Sequence, residues 1–339
     1  MGTPPLPISV LDFSPMRDGE TASDSLRRTV ELAQQVEELG YRRFWFTEHH
    51  NVPRLTNAAP AVVLAHIASV TKSIRVGSGG VMLPNHSPLV IAEQFGTLAG
   101  LHPGRIDLGI GRATGGPGAD SEIFRMLRKP PDARDRFEFD LDELLTLLDE
   151  RQAEDAPYVP ARGLDLPVWL LGSSISSAAM AGKLGLPFSY ATHIAPDELQ
   201  VALRAYRTNF RASKTLQRNY AMICAFIIAA ETDAQAQDLL ASIRPILLQW
   251  FRKSGIRVPI DNARTPVVAA APEQHLPYAI VGSPETVRSG IEAMVRQTQA
   301  DELMVITLIR DPIAARRSYE IVARVCKDIT RKSATATTD

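Results

Sequence analysis

The chain has 339 residues, 45% of them hydrophobic and 22% charged, with a formal net charge of −1. That balance describes a globular protein able to bury a large core, and it lacks the cationic excess that nucleic acid or an anionic membrane surface requires of a partner. Cys224 and Cys326, both in apolar surroundings, give neither a disulfide framework nor a zinc-type spacing. The longest apolar run, 221–230, is too short to cross a bilayer, and the Pro-rich start has no basic stretch of a signal peptide; a cytoplasmic location is expected.

A first strand is expected over 8–13. A helix follows, capped by Thr21 or Ser23, with Leu26, Val30, Ala33, Val36 and Leu39 as its apolar stripe and Gly40 at its end. Residues 42–47 read as the second strand, and Pro60 opens a helix to about Lys72. The third strand, 74–83, is interrupted at Gly79-Gly80. A helix over 87–101 and the turn His102-Pro103-Gly104 lead into the fourth strand, 105–110. After a loop at 115–118, Phe137, Leu141, Leu144, Leu145 and Leu148 line one face of a helix.

Strands five and six are expected over 166–171 and 187–191. A helix from about Ser174 separates them, and another carrying Leu199, Leu203, Tyr206 and Phe210 comes after. Residues 220–230 and 302–308 read as strands seven and eight. Between them, helical patterns over 233–253 and 283–299 flank a Pro-rich segment, 255–281, whose length suits a lid or binding loop over the site. The last helix starts near Pro312, and the tail 332–339 is expected to be disordered. Strands alternating with helices predict an α/β chain: a (β/α)8 TIM barrel over 1–331, one domain with a long insertion between strands seven and eight. The alternative is a doubly wound sheet, but Gly109-Ile110-Gly111-Arg112 lacks the third glycine of a dinucleotide loop.

Barrel sites form at the C-terminal ends of strands, which selects Phe13, His49, Gly79, Gly80, Arg112, Ser173, Ser176 and His193. In Phe44-Trp45-Phe46-Thr47-Glu48-His49-His50, neighbouring side chains of an extended segment face opposite ways, so only one imidazole lines a given pocket. A neutral histidine there suits proton donation or acceptance, and a hydrogen-bonded structural pair explains the residues as well. No spaced third ligand accompanies them, so no metal is expected. Gly79-Gly80 reads either as a bulge or as a wall against which a flat ligand lies. The hydroxyls of Ser173, Ser174 and Ser176 open a helix and suit either a phosphate seat, with Arg112 as its cation, or plain N-capping. His66 reads as a core residue of an apolar helix, Arg27-Arg28 as a solvated face, and His86 and His193 as strand-end residues near a ligand.

Three stretches in order, 43–51, 76–88 and 104–112, resemble the bacterial luciferase-like flavin monooxygenases, and 170–174, 185–188 and 280–284 extend the likeness over most of 6–330. The resemblance implies a barrel binding FMN at its mouth, with His49 serving the oxygen chemistry and a non-prolyl cis peptide at Gly79-Gly80 beneath the flavin ring. It assigns Arg112 to the phosphate together with Ser173 and Ser176. Luciferase has a reactive cysteine where Gly111 stands, so light emission is not implied.

The activity implied is that of a two-component monooxygenase. Reduced FMN from a separate flavin reductase would react with O₂ through a flavin C4a-hydroperoxide and oxidise a small organic substrate in a pocket near Phe13, His193 and Ile309. A homodimer is implied as well. The alternatives are an F420-dependent hydride-transfer oxidoreductase and a flavin-binding protein without turnover.

Overall fold

The computed structural model describes residues 5–113, 122, 125–129, 132–150, 158–160, 162–253 and 279–329, with side chains omitted for 246–253. The expected loop at 115–118, the insertion up to residue 278 and the tail 332–339 lie outside the described residues.

Strands and helices alternate as β1 (Ile8–Asp12), α1 (Ala22–Glu38), β2 (Arg43–Phe46), α2 (Pro60–Val70), β3 (Arg75–Ser78), β4 (Val81–Met82), α3 (Pro88–Leu101), β5 (Ile106–Gly111), α4 (Phe137–Leu148), β6 (Val168–Gly172), α5 (Ile175–Lys183), β7 (Phe188–Tyr190), α6 (Leu199–Asn209), β8 (Ala221–Ala229), α7 (Asp233–Lys253), β9 (Ala279–Gly282), α8 (Pro284–Thr298), β10 (Glu302–Ile306) and α9 (Pro312–Lys327). Local chemistry sets the ends. Thr21 and Asp24 form a reciprocal capping box on α1, and Gly40 takes a left-handed φ of 83° just past its end. Proline opens α2, α3, α8 and α9, where its missing N–H costs nothing.

All pairings among the named strands are parallel. β1 joins β2, then β3, β5, β6, β7 and β8, and β8 pairs with β10, which returns to β1. β4 resumes the stave of β3 after Gly79-Gly80, pairing Val81 with Ile110 and Met82 with Gly111. The result is the expected closed barrel. Parallel strands covered on both faces need near-continuous apolar sequence, and all nine residues of β8 are buried. One core layer, including Val10, Phe44, Phe46, Leu108 and Phe188, fills the space between the staves and the helices. A second, including Leu11, Trp45, Trp169, Met222 and Met304, fills the inside.

The barrel floor is charged. Arg43 donates to Asp107 (2.7 Å) and to both oxygens of Glu302 (3.0 and 3.2 Å) and lies over the Trp169 ring (4.8 Å). Arg75 donates to the other oxygen of Asp107 (2.7 and 2.9 Å), and Ser9 and Tyr220 donate to Glu302. Burial alone would raise the pKa of Asp107, but the two guanidiniums outweigh it and hold the carboxyl below its usual range.

Three expectations need correction. The expected loop does not reach Val281, because Ala279–Gly282 forms β9 on β8. Phe226 pairs with Ile306 on one side and Ala279 on the other, so β9 takes the edge that β7 leaves free beyond Tyr190. His66 is exposed rather than part of the core, since α2 turns Leu64, Ile67 and Ala68 inward. Arg28 is half-buried, donating to the Glu20 carboxylate (3.0 Å) and to the Pro15 carbonyl.

Candidate active site

The alternation of β2 carries past its end and divides Glu48-His49-His50 between two environments. His49 turns towards Phe13, with ring centroids 5.9 Å apart. Its backbone N–H donates to the Asn57 carbonyl (3.2 Å), and its Nδ1 lies 2.9 Å from Asn57 Nδ2. The same Asn57 nitrogen donates to Thr47 Oγ1 (2.5 Å), and Thr47 donates to the Asp12 carbonyl (3.2 Å). Burial pulls the His49 pKa down to about 4, against an opposing pull from Glu48, so the ring is neutral at pH 7.

A polar knot fixes the loops that hold this pair. The Asp12 carboxylate accepts from Thr29 Oγ1 (2.6 Å) and the Ser14 N–H (3.1 Å), while Ser14 Oγ meets Thr56 Oγ1 at 2.6 Å. Met16 N–H donates to the Arg54 carbonyl (2.8 Å), so the loop after β1 is tied to the loop after β2 that carries Asn57. Burial of Asp12 raises its pKa, partly opposed by these hydrogen bonds.

On the opposite side, Glu48 is buried and gathers two imidazoles on one oxygen. His50 Nε2 and His86 Nε2 each lie 2.6 Å from Oε1, and the Met82 N–H donates to Oε2 (3.1 Å). The carboxyl pKa would rise on burial, but the hydrogen bonds from His50 and His86 hold it low. His86 supplies a third metal-type donor, 38 positions from Glu48 in sequence. Ligands sharing one ion at about 2.1 Å stand roughly 3 Å apart or more. Both imidazole nitrogens stand closer than that to Glu48 Oε1, as hydrogen-bonded partners do, and they clamp the end of β2 to the turn after β4.

Gly79-Gly80 is a cis peptide. Its glycines are required by the wall itself. A Cβ on Gly79 would overlap the Leu11 side chain and meet Trp45 Cβ at 3.2 Å, and one on Gly80 would meet the Gly109 carbonyl oxygen at 2.9 Å. Protein fills the side where a Cβ would point, so the close approach read from sequence is made there by Leu11, Trp45 and Gly109. Gly111 differs, because among the described residues a Cβ there would meet only the Val81 carbonyl oxygen, at 3.9 Å.

Arg112 follows β5 and is exposed. The pairing of Gly111 with Leu171 sets it beside Gly172, where β6 ends and the serines begin. Ser174 is the N-cap of α5, accepting from the Ser177 N–H (3.2 Å) with its Oγ 3.0 Å from Ser176 Oγ. Ser176 is exposed, and the Ser173 carbonyl accepts from Tyr190 (3.2 Å). Arg112 and Ser173, Ser174 and Ser176 therefore share one rim of the mouth, capping being a real part of what Ser174 does.

His193 stands edge-on to Phe13 and to Phe226, at 6.1 Å from each, and burial with repulsion from His49 brings its pKa to about 4. Ile309 is buried in the same apolar cluster as Phe13 and Phe226. The mouth thus joins His49, His193, Phe13 and Ile309: two neutral imidazoles among apolar walls, able to hydrogen-bond an oxygen atom without bringing a net charge. Sequence reasoning missed Asn57, which lies in a loop with no local pattern, and the partnership of Glu48 with His86.

A family model described as luciferase-like monooxygenase matches residues 8–302. A luciferase-like monooxygenase of Escherichia coli K12 is 41% identical over 331 residues, covering 95% of this chain and 97% of that protein. The N-acetyl-S-alkylcysteine monooxygenase of Bacillus subtilis is 32% identical, covering 93% and 97%. Among solved structures, apo-MsnO8 superposes with a TM-score of 0.82 at 34% identity, covering 96% of this chain and 100% of that one. With a closed parallel barrel and these likenesses along its length, the chain is an oxidoreductase that belongs to the luciferase-like monooxygenase family.

Proposed function

We propose that this protein is an FMN-dependent, two-component monooxygenase acting on a small, largely apolar organic substrate. The observation that carries the reading is His49, a neutral imidazole held among apolar rings in a mouth whose rim also bears Arg112 and a serine-opened helix. The residues present fit a flavin. Among the described residues a side chain at Gly111 would meet only the Val81 carbonyl, and Asn57 keeps an unpartnered buried oxygen beside His49. Arg112, Ser173, Ser174 and Ser176 would hold the phosphate. When bound, reduced FMN supplies the electron pair with which O₂ is split, one oxygen atom passing to the substrate and the other leaving as water.

The protein's own part is to seat the ring, exclude water and present His49 to the reacting oxygen, while Phe13, His193 and Ile309 shape the substrate pocket. Reduced FMN would come from a separate reductase. Exposed Val62 on α2 and Val90 and Leu101 on α3 support pairing of two copies through these helices, and no helix among the described residues is long and apolar enough to cross a membrane. A cytoplasmic homodimer is proposed.

Anaerobic titration with FMN and with F420, followed by absorbance, tests the cofactor, and O₂ uptake with reduced FMN tests turnover. FMN saturation and O₂ uptake above the free-flavin rate are expected. His49→Ala should lose substrate oxygenation by about 10²-fold or more while binding FMN within a few-fold of wild type. Selective F420 binding, or unchanged oxygenation in His49→Ala, would overturn the reading.

A further inference from the structure

We infer that Asn57 is a positioning residue that fixes His49 as its Nε2–H tautomer, so that His49 meets the reacting oxygen as a neutral hydrogen-bond donor and not as a base. The inference rests on the role given to His49 above and adds the direction of its proton.

Hydrogen-bond accounting across four residues leads there. The Asp12 backbone oxygen can only accept, and it lies 3.2 Å from Thr47 Oγ1, so the hydroxyl hydrogen of Thr47 is spent on it. Thr47 Oγ1 is then an acceptor towards the amide atom 2.5 Å away, which must be Asn57 Nδ2. That nitrogen has a second hydrogen, and His49 Nδ1 is 2.9 Å from it. An amide N–H facing a ring nitrogen makes that nitrogen the lone-pair bearer, which leaves the ring hydrogen on Nε2.

The reverse amide orientation satisfies less. It would strand the two N–H donors of Asn57 where now one buried oxygen, Oδ1, goes without a partner among the described residues, and it would take the Thr47 hydrogen from Asp12. Asn57 itself is fully buried and anchored to His49 a second time through its carbonyl, so it cannot swing out. The groups facing His49 are Glu48 and His50 on its own segment, Asn57 and Phe13 from the neighbouring loops, and His193 across the mouth. Glu48 is already committed to His50 and His86, so none of these presents a free carboxylate to Nδ1.

The chemical consequence is specific. With a hydrogen on Nε2 and the Nδ1 lone pair tied to an amide, His49 has no basic site facing the mouth. It can lower the energy of negative charge developing on an oxygen by donating Nε2–H, and it keeps its proton while doing so.

Long-range ¹H–¹⁵N correlation on the full-length protein without flavin reads the tautomer directly, with His49 assigned from the spectrum of His49→Gln. A pyrrole-type signal at Nε2 and a pyridine-type signal at Nδ1 near pH 7 are expected. The opposite pattern, or an imidazolium, overturns the inference, and this measurement requires no substituted protein to turn over. In Asn57→Asp the new carboxylate accepts only, so the hydrogen should move to Nδ1 and the His49 midpoint should rise by about one pH unit or more. Persistence of the wild-type signals in Asn57→Asp would show that Asn57 does not set the tautomer. Because the spectra are taken without flavin or substrate, they can succeed or fail independently of O₂ uptake, which judges the monooxygenase reading.

Discussion

Replacing Arg43 by methionine should be among the most damaging single changes in the barrel. The Arg43 side chain is 5% exposed, and its partners Asp107 and Glu302 are fully buried. Methionine keeps most of the apolar stem against Trp169, so the loss isolates the charge. Asp107 would then keep Arg75, while Glu302 would keep only the longer pairing with the partly exposed Arg42, whose Nε lies 3.9 Å from its Oε2. Removing one member of a buried ion pair costs about 3–5 kcal/mol, because the stranded charge cannot regain water. We expect Arg43→Met to lose that much at pH 7.5, measured by urea unfolding followed through tryptophan fluorescence and far-UV circular dichroism. Arg43→Met combined with Glu302→Met should recover part of it, since no unpaired Glu302 charge remains. The folded-state pKa of Asp107 lies below its usual 3.8, so its contribution is present above that value and disappears as pH falls through the lower, folded one. A loss below about 1 kcal/mol, or a double variant no more stable than the single one, would refute the reasoning.

Arg112→Ala should weaken FMN binding by roughly 10- to 100-fold, the worth of a hydrogen bond to a charged group, and leave riboflavin binding unchanged; equal losses for both would place the phosphate elsewhere. His49 and His193 both have folded pKa values near 4 against 6.5 unfolded, so the unfolded chain binds more protons between those limits and stability should fall as pH drops from about 6.5 to 4. Urea midpoints across that range should show a shallower slope in His193→Phe, and an unaltered slope would contradict the assignment. Gly80→Ala should cost about 1–3 kcal/mol by thermal unfolding, because its Cβ would press on the backbone of Gly109 and Ile110 at 2.9–3.2 Å, and backbone yields less than a side-chain tip.

Much of the barrel is legible in the sequence because parallel staves leave apolar runs of strand length between amphipathic helices, and the division of His49 from His50 follows from strand alternation alone. What escaped depends on tertiary packing. That Gly79-Gly80 is closed in on the side where a Cβ would point depends on Leu11 and Gly109, which are distant in sequence. β9 is four residues beside a Pro-rich stretch, and its reason for being a strand is an edge of β8 about fifty positions earlier. His66 resembles core because α2 is apolar nearly all round, yet it shares an outward stripe with Val62 one turn earlier. Asn57 carries no periodic signal; its importance appears only when two loops are tied together and its amide is brought to His49.

The unequal heights of β7 and β8 give the mouth a direction. β8 has nine residues, about 30 Å of extended chain, while its neighbour β7 has three, about 10 Å, and β9 stands on the upper part of β8 that β7 never reaches. Among the described strands the rim is therefore uneven along one stretch, where β6 and β7 end low and β8 rises beside them with β9 on its β7-facing edge. The serine-opened end of α5 follows β6 on that low stretch, and the upper part of β8 carries β9 instead of β7. With a phosphate held by the serines as proposed, the charged end of the guest would sit on the low stretch of the rim, with the tall pair of β8 and β9 bounding it on the next side.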